Sequence, residues 1–285
     1  MEAHHQKIST NKTDTFPINV FHTDVQEFPP HWHERIEIVY VLGDELKIGQ
    51  NSTVYTLHNR DIFIVGMGEV HYFLMQPQIC DRIIILFNPA LFEELSNQLT
   101  RIKLLKPHIP YDTVQKDSEF SIHSFFEKQI LGIQQEKSDM KAGYEFFVGA
   151  RLYDIAAGII RYIPNEKLCS AQLNKQMKKL EILEQVTKYI DENYKEEITL
   201  ADVSKSANFS MFHFTRFFKE TTGMTFGQYL NNYKVSKAVS MLINTSDSIS
   251  EISFNSGFNS IKTFNRVFKQ VKGCSPSEFK RAIFE

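Results

Sequence analysis

The residues best suited to chemistry lie early in the chain, in the segment His31-Trp32-His33-Glu34-Arg35-Ile36-Glu37, and His71 follows after a glycine-rich turn. In a regular strand alternate side chains share a face, so His31, His33, Arg35 and Glu37 would point the same way. Imidazoles and a carboxylate suit iron, manganese, zinc or nickel. Three interpretations remain open at this point: a metal site, a polar lining for a small ligand, and structural packing or hydrogen bonding.

The spacing of these residues resembles the cupin motif, in which two histidines, a glutamate and a distant histidine line a small barrel and can hold a metal. The second half of the motif is incomplete, because His71 is followed by Tyr-Phe-Leu and lacks the asparagine that cupins place four residues on. We therefore predict no metal cofactor, and keep His31, His33, Glu37 and His71 as the ligands if one binds. Trp32, the only tryptophan, suits stacking on a sugar face or a place at the rim. The predicted effector-binding residues are His31, Trp32, His33, Arg35, Glu37 and His71.

Short β-branched and aromatic segments surround this motif, with turn residues between them. They are 35–43, 46–50, 53–57, 61–66, 70–75 and 81–87. This spacing predicts an antiparallel barrel or sandwich. The preceding Pro29-Pro30 pair predicts a turn, and residues 1–15 are polar and predicted to be mobile.

The middle of the chain has helical periodicity. A short helix is predicted at 91–99 and a loop at 100–118. Two amphipathic helices, 118–137 and 141–163, then form a predicted hairpin that covers the barrel or pairs with its copy in a homodimer. Residues 164–177 are polar and aperiodic, which predicts a linker. We expect an N-terminal domain over 1–163 and a helical domain over 178–285.

Composition restricts the class of protein. The charged fraction of 23% and the hydrophobic fraction of 42% are typical of a globular protein, and the net charge is −2. Residues 175–285 hold 16 Lys and Arg against 12 Asp and Glu, a mild excess that suits a polyanionic partner. Three dispersed cysteines predict buried thiols and no disulfide framework. No apolar run of membrane-spanning length and no signal peptide are found, so we expect a cytoplasmic protein.

The last third of the chain contains one pattern twice. Asp202 matches Glu251 before the turns, and Arg216 matches Arg266 after them, with one extra residue in the second turn. Four helix starts carry a Ser or Thr followed three residues later by an acid or amide, which is the sequence of a capping box. Asn208 and Gly257 suit left-handed positions in the two turns. Phenylalanines at helical spacing on the second helices predict core packing. The repeat is therefore predicted to be a duplicated helix-turn-helix.

These features resemble the DNA-binding domain of the AraC/XylS family of transcription regulators. The resemblance rests on residues 257–280, GFNSIKTFNRVFKQVKGCSPSEFK, and on residues 213–223, HFTRFFKETTG. It implies an α+β fold: a cupin-like antiparallel β-barrel with a helical hairpin, followed by an all-α domain with two helix-turn-helix units. The sequence departs from the family pattern at Lys234, where arginine is usual, and at Ser204 and Ser253, where alanine is usual.

The resemblance also implies which residues face DNA, because the second helix of each unit enters the major groove. The predicted DNA-binding residues are Met211, Phe212, Thr215, Arg216 and Lys219 in the first unit, and Ile261, Lys262, Thr263, Asn265, Arg266 and Lys269 in the second. Arginine can bind guanine, asparagine can bind adenine, and lysine binds phosphate. The two arginines could instead contact phosphate or form salt bridges within the domain.

Three functions are therefore compared. The first is a transcription activator without enzymatic activity that binds promoter DNA as a homodimer, responds to a small molecule such as a sugar, and contacts RNA polymerase. The second is a metal-dependent cupin enzyme with an accessory helical domain. The third is a constitutive DNA-binding protein whose barrel only dimerises. The repeated caps favour the first.

Overall fold

The computed structural model of the chain describes residues 18–24, 28–74, 80–111 and 120–284; the predicted mobile segment at 1–15 lies outside them. The strands are β1 (Ile18–Thr23), β2 (Phe28–His31), β3 (Ile36–Val41), β4 (Glu45–Gln50), β5 (Thr53–His58), β6 (Ile62–Val65), β7 (His71–Phe73), β8 (Arg82–Phe87), β9 (Ile102–Leu104), β10 (His108–Ile109) and β11 (Asn165–Lys167). The helices are α1 (Glu93–Leu99), α2 (Ile122–Asp139), α3 (Tyr144–Tyr162), α4 (Ser170–Asn193), α5 (Leu200–Ser206), α6 (Met211–Thr222), α7 (Phe226–Asn244), α8 (Ile249–Asn255), α9 (Ile261–Lys272) and α10 (Pro276–Phe284). Among the described helices, none is both long and apolar enough to span a membrane.

Two antiparallel sheets form the N-terminal barrel. One has the order β1-β8-β3-β6-β10 and the other the order β2-β7-β4-β5. Along the central strand β3, Ile36, Ile38 and Tyr40 pack against the helical hairpin, whereas Val39 and Val41 pack against the second sheet. A strand that is covered on both faces has a nearly continuous apolar sequence, as β3 does. The predicted α+β fold is confirmed.

Two strands, β1 and β2, lie before the first of the six predicted segments. β1 pairs with β8 over its whole length, from Ile18 opposite Phe87 to Thr23 opposite Arg82. The Pro29-Pro30 pair was predicted to form a turn, and this prediction is wrong because both residues lie within β2. β2 is an edge strand, where a missing amide donor can face away from the ladder.

The helical hairpin of α2 and α3 packs on the five-stranded sheet. α2 extends two residues beyond its predicted end at 137, and it ends where Met140 takes a left-handed conformation with φ of 46°. Glu127 fixes α2 to the barrel, because it accepts hydrogen bonds from Tyr40 at 2.7 Å and from Arg60 at 2.7 and 2.8 Å. The predicted loop at 100–118 is wrong in part, since β9 and β10 form there by pairing with β11 and β6.

The predicted linker at 164–177 is mostly regular structure rather than an irregular segment. β11 lies within it, and α4 begins at Ser170. The side chain of Gln172 accepts a hydrogen bond from the N–H of Cys169 at 2.8 Å, and Gln176 donates to the Met67 carbonyl at 3.3 Å. Contacts with the barrel therefore order a segment that has no apolar periodicity of its own. Cys169 is exposed, in contrast to the predicted burial of the thiols.

The C-terminal helices have two separate cores. The first unit contributes Phe214, Phe218 and Tyr229 to a cluster that also contains Trp32 and Val70 of the barrel. The second unit has a cluster made only of C-terminal residues, and its buried members are Val235, Ala238, Leu242, Ile252, Phe258, Phe264, Val267 and Phe268. The barrel is therefore packed into the core of the first unit and not into that of the second.

Candidate functional site

Four C-terminal helices begin with the reciprocal caps that the sequence predicts. The cap pairs are Thr199 with Asp202, Thr225 with Gln228, Ser248 with Glu251 and Ser275 with Glu278. In the last pair, Ser275 N–H donates to the Glu278 carboxylate at 2.7 Å and Glu278 N–H donates to the Ser275 hydroxyl at 3.3 Å. Each cap satisfies two helix-end donors, and loss of the hydroxyl costs about 0.5–2 kcal/mol.

The two turns have the predicted left-handed residue at the same place. Asn208 has φ of 56° and Gly257 has φ of 88°. After these residues, Ser210 caps α6 by accepting from His213 N–H at 3.3 Å, and Ser260 caps α9 by accepting from Thr263 N–H at 3.2 Å. Turn angle and cap together set the direction in which each second helix leaves its turn.

The second helices α6 and α9 are each divided into a buried and an exposed face. Phe214, Phe218, Phe264 and Phe268 are fully buried, which supports the prediction that they form the core. The eleven predicted DNA-binding residues are all exposed: Met211, Phe212, Thr215, Arg216, Lys219, Ile261, Lys262, Thr263, Asn265, Arg266 and Lys269. Phe212 is 82% exposed although it is a large apolar side chain. An aromatic residue held open to solvent on a predicted recognition helix suits contact with thymine methyl groups.

The two matched arginines differ in their surroundings. Arg216 forms an ion pair with Glu220 one turn further along α6, at 2.8 Å. Arg266 has no hydrogen bond or ion pair with any other residue that the structure describes, and it is exposed. An arginine free of protein partners keeps all five N–H donors for a ligand. Of the two matched arginines, Arg266 is therefore the one whose donors are not engaged by another described residue.

Lys234 has a structural role that was not predicted from the sequence. Its Nζ donates to the Gly257 carbonyl at 2.6 Å and lies 3.5 Å from the Glu196 carbonyl. Burial lowers the pKa of this lysine. Lys234 thus ties the long helix α7 to the turn of the second unit. The sequence signal for this role was the departure at position 234 from the usual arginine. Arginine, like lysine, is a cation that can donate hydrogen bonds to carbonyl oxygens.

Ser204 and Ser253 occupy matched places on α5 and α8, and both are fully buried. The Ser204 hydroxyl donates to the Leu200 carbonyl at 2.6 Å, which is a bond to the backbone of its own helix. The Ser253 hydroxyl has no hydrogen-bond partner among the described residues. A buried hydroxyl without a partner carries the cost of its desolvation.

We expect Ser253→Ala to raise the free energy of unfolding by about 1 kcal/mol, because it removes a buried hydroxyl without a partner. Ser204→Ala is the matched control and should change stability less or lower it, since that hydroxyl has its bond. Equilibrium urea unfolding of the full chain, followed by far-ultraviolet circular dichroism, measures both. A destabilised Ser253→Ala protein would contradict the expectation.

The barrel brings together four of the residues singled out in the N-terminal segment. His31, His33, Glu37 and His71 are buried, and their ligand atoms all lie within 4.8 Å of one another. Glu37 Oε2 lies 3.0 Å from Nε2 of His33 and 3.3 Å from Nε2 of His71. Burial, assisted by neighbouring His71, lowers the pKa of His31 well below its usual value. The cluster can therefore bind a metal ion or form a closed hydrogen-bonding network.

The structure does not place Trp32 or Arg35 in this cluster. Trp32 is only 5% exposed and packs with the C-terminal helices, so the predictions that it is a rim aromatic or stacks on a sugar are wrong. Arg35 is half-buried and donates to Asn19 at 2.6 Å. Alternation along the chain explains the difference for Trp32, since the residue between two inward histidines points outward.

The C-terminal part also matches known proteins. A family model described as a helix-turn-helix domain matches residues 203–282. The TetD protein of transposon Tn10 from Escherichia coli is 31% identical over 35% of this chain and 72% of its own length. The chain belongs to the AraC/XylS family of transcription regulators. It is therefore a DNA-binding transcription regulator.

Two relatives of this AraC/XylS family member match it almost from end to end. The uncharacterized regulator YdeC of Bacillus subtilis is 23% identical over 97% of this chain and 96% of its own length. The transcriptional activator RhaR of Mannheimia succiniciproducens is 24% identical over 98% of this chain and 95% of its own. The likeness therefore extends through the barrel half as well as the helix-turn-helix units.

Proposed function

We propose that this AraC/XylS regulator is a promoter-binding activator, without enzymatic activity, that reads two unlike half-sites with one chain. The observation that carries the proposal is the difference between two matched exposed faces. At matched exposed positions the first unit presents Phe212 and Thr215, whereas the second presents Lys262 and Asn265. A phenylalanine suits thymine methyl groups, and a lysine and an asparagine suit guanine and adenine, so the two faces favour different bases. The expected partner is therefore double-stranded DNA with an asymmetric site.

Selection of bound duplexes from a random DNA library, with the full chain, tests this proposal. We expect an enriched motif with two different halves whose centres lie about one helical turn, roughly 34 Å, apart. Enrichment of a single half, or of two identical halves read by one chain, would contradict it. Transcription from a promoter that carries the selected site then distinguishes activation through RNA polymerase from repression.

We further propose that a small polar effector, a carbohydrate being the first class to test, acts where the barrel meets the C-terminal helices. A cavity of about 340 Å³ lies there, with Asn51 and Glu69 of the barrel on one side and Gln176, Lys179 and Glu220 on the other. Amide, ammonium and carboxylate groups suit hydroxyl groups of a ligand. A molecule that contacts both halves changes the energy of their packing, which is what control of DNA binding requires.

Gly223, at the C-terminal end of α6, lies at the junction between the barrel and the first helix-turn-helix unit. A Cβ atom at Gly223 would lie 2.4 Å from the Asn51 carbonyl oxygen and 2.8 Å from the Tyr72 hydroxyl. Gly273 holds the matched place in the second unit with a similar φ, 76° against 75°, and a Cβ there meets nothing within 4 Å. The two glycines differ mainly in whether the barrel lies against them.

We expect Gly223→Ala to separate the barrel from the first unit and to shift the fluorescence emission of Trp32 to longer wavelength. Trp32 is the only tryptophan and lies at this junction, so its emission reports its exposure to water. Gly273→Ala has the same backbone strain and no barrel contact, and its emission should stay at the wild-type wavelength. Equal emission spectra of the two variants would contradict this account of the junction.

We propose that the regulator is a homodimer that associates through the outer face of α3. The inner face of this helix packs on the barrel, but Phe146 is 83% and Phe147 60% exposed. Phe146→Asp should convert the dimer to a monomer in light scattering coupled to size exclusion, because a charge would be buried against the second copy. Phe21→Asp, at an exposed phenylalanine of β1, is the control. A dimer that persists in Phe146→Asp would exclude this face.

A further inference from the structure

The four-residue cluster of the barrel is tied to its backbone in a particular way. His31 lies directly opposite His71 in the pairing of β2 with β7, and their ring centroids are 4.0 Å apart. His33 follows β2, and Glu37 lies on the neighbouring sheet in β3. Three residues of one short segment and the distant His71 thus converge on one buried point between the two sheets.

Each of the three imidazole rings uses Nδ1 for a backbone carbonyl. His31 Nδ1 lies 3.0 Å from the Pro29 carbonyl, His33 Nδ1 3.0 Å from that of Arg35, and His71 Nδ1 2.9 Å from that of Glu69. A carbonyl oxygen only accepts, so Nδ1 must carry the proton in all three rings. In the neutral ring Nε2 then has a free lone pair. This is how proteins orient histidines that bind a metal through Nε2.

The Nε2 lone pairs of two of these histidines face the Glu37 carboxylate. Nε2 of His33 and Nε2 of His71 both point at Glu37 Oε2, at 3.0 and 3.3 Å. Two acceptors that face one another in a buried site need a proton or a metal ion between them. The other carboxylate oxygen, Glu37 Oε1, is buried and has no hydrogen-bond partner among the described residues. A buried acceptor of the cluster is therefore left without a donor among the described residues, which favours a bound metal ion over a proton alone.

We propose that His31, His33, Glu37 and His71 hold a divalent first-row transition-metal ion, with zinc as the first to test, in a closed structural site. Three imidazole nitrogens and one carboxylate suit this class of ion. Four protein ligands complete a tetrahedral shell, and their burial marks a structural site, which keeps no open position for a substrate. The proposal is independent of the DNA sequence that the protein reads and of its effector.

The metal acts on the architecture through Trp32. Its two neighbours, His31 and His33, are ligands, while its indole packs into the core of the first helix-turn-helix unit. Fixing β2 to β3 and β7 therefore also fixes the surface on which this unit rests. Metal occupancy is thereby linked to the junction between the barrel and the first unit.

The test uses the full chain, free of any affinity tag, dialysed against excess zinc and then against buffer. Metal analysis should give close to one zinc ion per chain. Chelation should lower the midpoint temperature of thermal unfolding and shift Trp32 emission to longer wavelength. Adding zinc should reverse both changes, whereas adding magnesium should not. Cobalt in place of zinc should give the visible absorption bands of a tetrahedral nitrogen and oxygen site.

Glu37→Gln and His71→Ala should each lose the metal. Two controls should keep it: His108→Ala, whose imidazole pairs with Asp61 at 2.8 Å, and a variant lacking His4 and His5, which removes a second possible source of metal binding. A folded wild-type protein that takes up no zinc and shows no zinc-dependent change in midpoint would overturn the proposal and identify a protonated imidazole and carboxylate network. Zinc retained in both Glu37→Gln and His71→Ala would overturn it equally. If His71→Ala does not fold, the cobalt spectrum of the wild-type protein and the Glu37→Gln variant decide.

Discussion

Replacing Gly257 with valine should unfold the second helix-turn-helix unit. Gly257 has φ of 88°, and a Cβ atom there would lie 2.0 Å from the Tyr194 carbonyl oxygen. The clash is with backbone, which cannot move aside as a flexible side chain can. The Lys234 side chain, which holds this turn by its bond to the Gly257 carbonyl, would be displaced as well. We expect a loss of more than about 3 kcal/mol in the free energy of unfolding.

Gly273→Val is the matched control for this substitution. Gly273 also has positive φ, 76°, but a Cβ there meets nothing within 4 Å. Its cost should be the backbone strain alone, about 1–2 kcal/mol. Hydrogen exchange of the amides in α8 and α9 measures the effect locally. Protection of α8 and α9 that is equal in the two variants would show that the contact with Tyr194 is not what makes glycine necessary.

Arg266→Ala should weaken binding to the selected DNA site by about 1–3 kcal/mol, which is roughly 5- to 150-fold in affinity, and relax the preference at one base pair. The physical reason is that the Arg266 guanidinium is exposed on α9 and has no partner among the described residues. Its five donors are available for a bidentate bond to guanine without breaking a protein contact.

Lys269→Ala on the same helix separates base reading from charge. A lysine that contacts phosphate should lower affinity about equally for all sequences and reduce the salt slope by about one ion. Fluorescence anisotropy with the selected site and with single-base variants, at several salt concentrations, distinguishes the two patterns. If Arg266→Ala weakens all sites equally, Arg266 contacts phosphate and reads no base.

The features that the sequence predicted correctly are local ones. A capping box such as Ser248 with Glu251 is complete within four residues, so its hydrogen bonds are readable from the sequence. The left-handed Gly257 is likewise marked by its residue type. The same holds for the strands of the barrel, whose β-branched segments are bounded by turn residues.

The features that could not be predicted depend on partners distant in the chain. The Pro29-Pro30 pair has the composition of a turn, and only pairing with β7 makes it part of a strand. The polar start of α4 is ordered by contact with Met67 of the barrel. Trp32 was predicted to face a ligand because nothing in its neighbourhood shows that a helical core lies on its other side.

The separate cores of the two units have a consequence for how such a regulator can evolve. Substitutions that repack the first unit also change the surroundings of Trp32 and Val70, so a change in its DNA preference risks disturbing the proposed response to an effector. The core of the second unit contains no barrel residue, so α9 can exchange its exposed side chains without that penalty. If the two units read the two half-sites proposed above, new target promoters should therefore arise mainly through changes in the half-site of the second unit, while the half-site of the first unit stays the same.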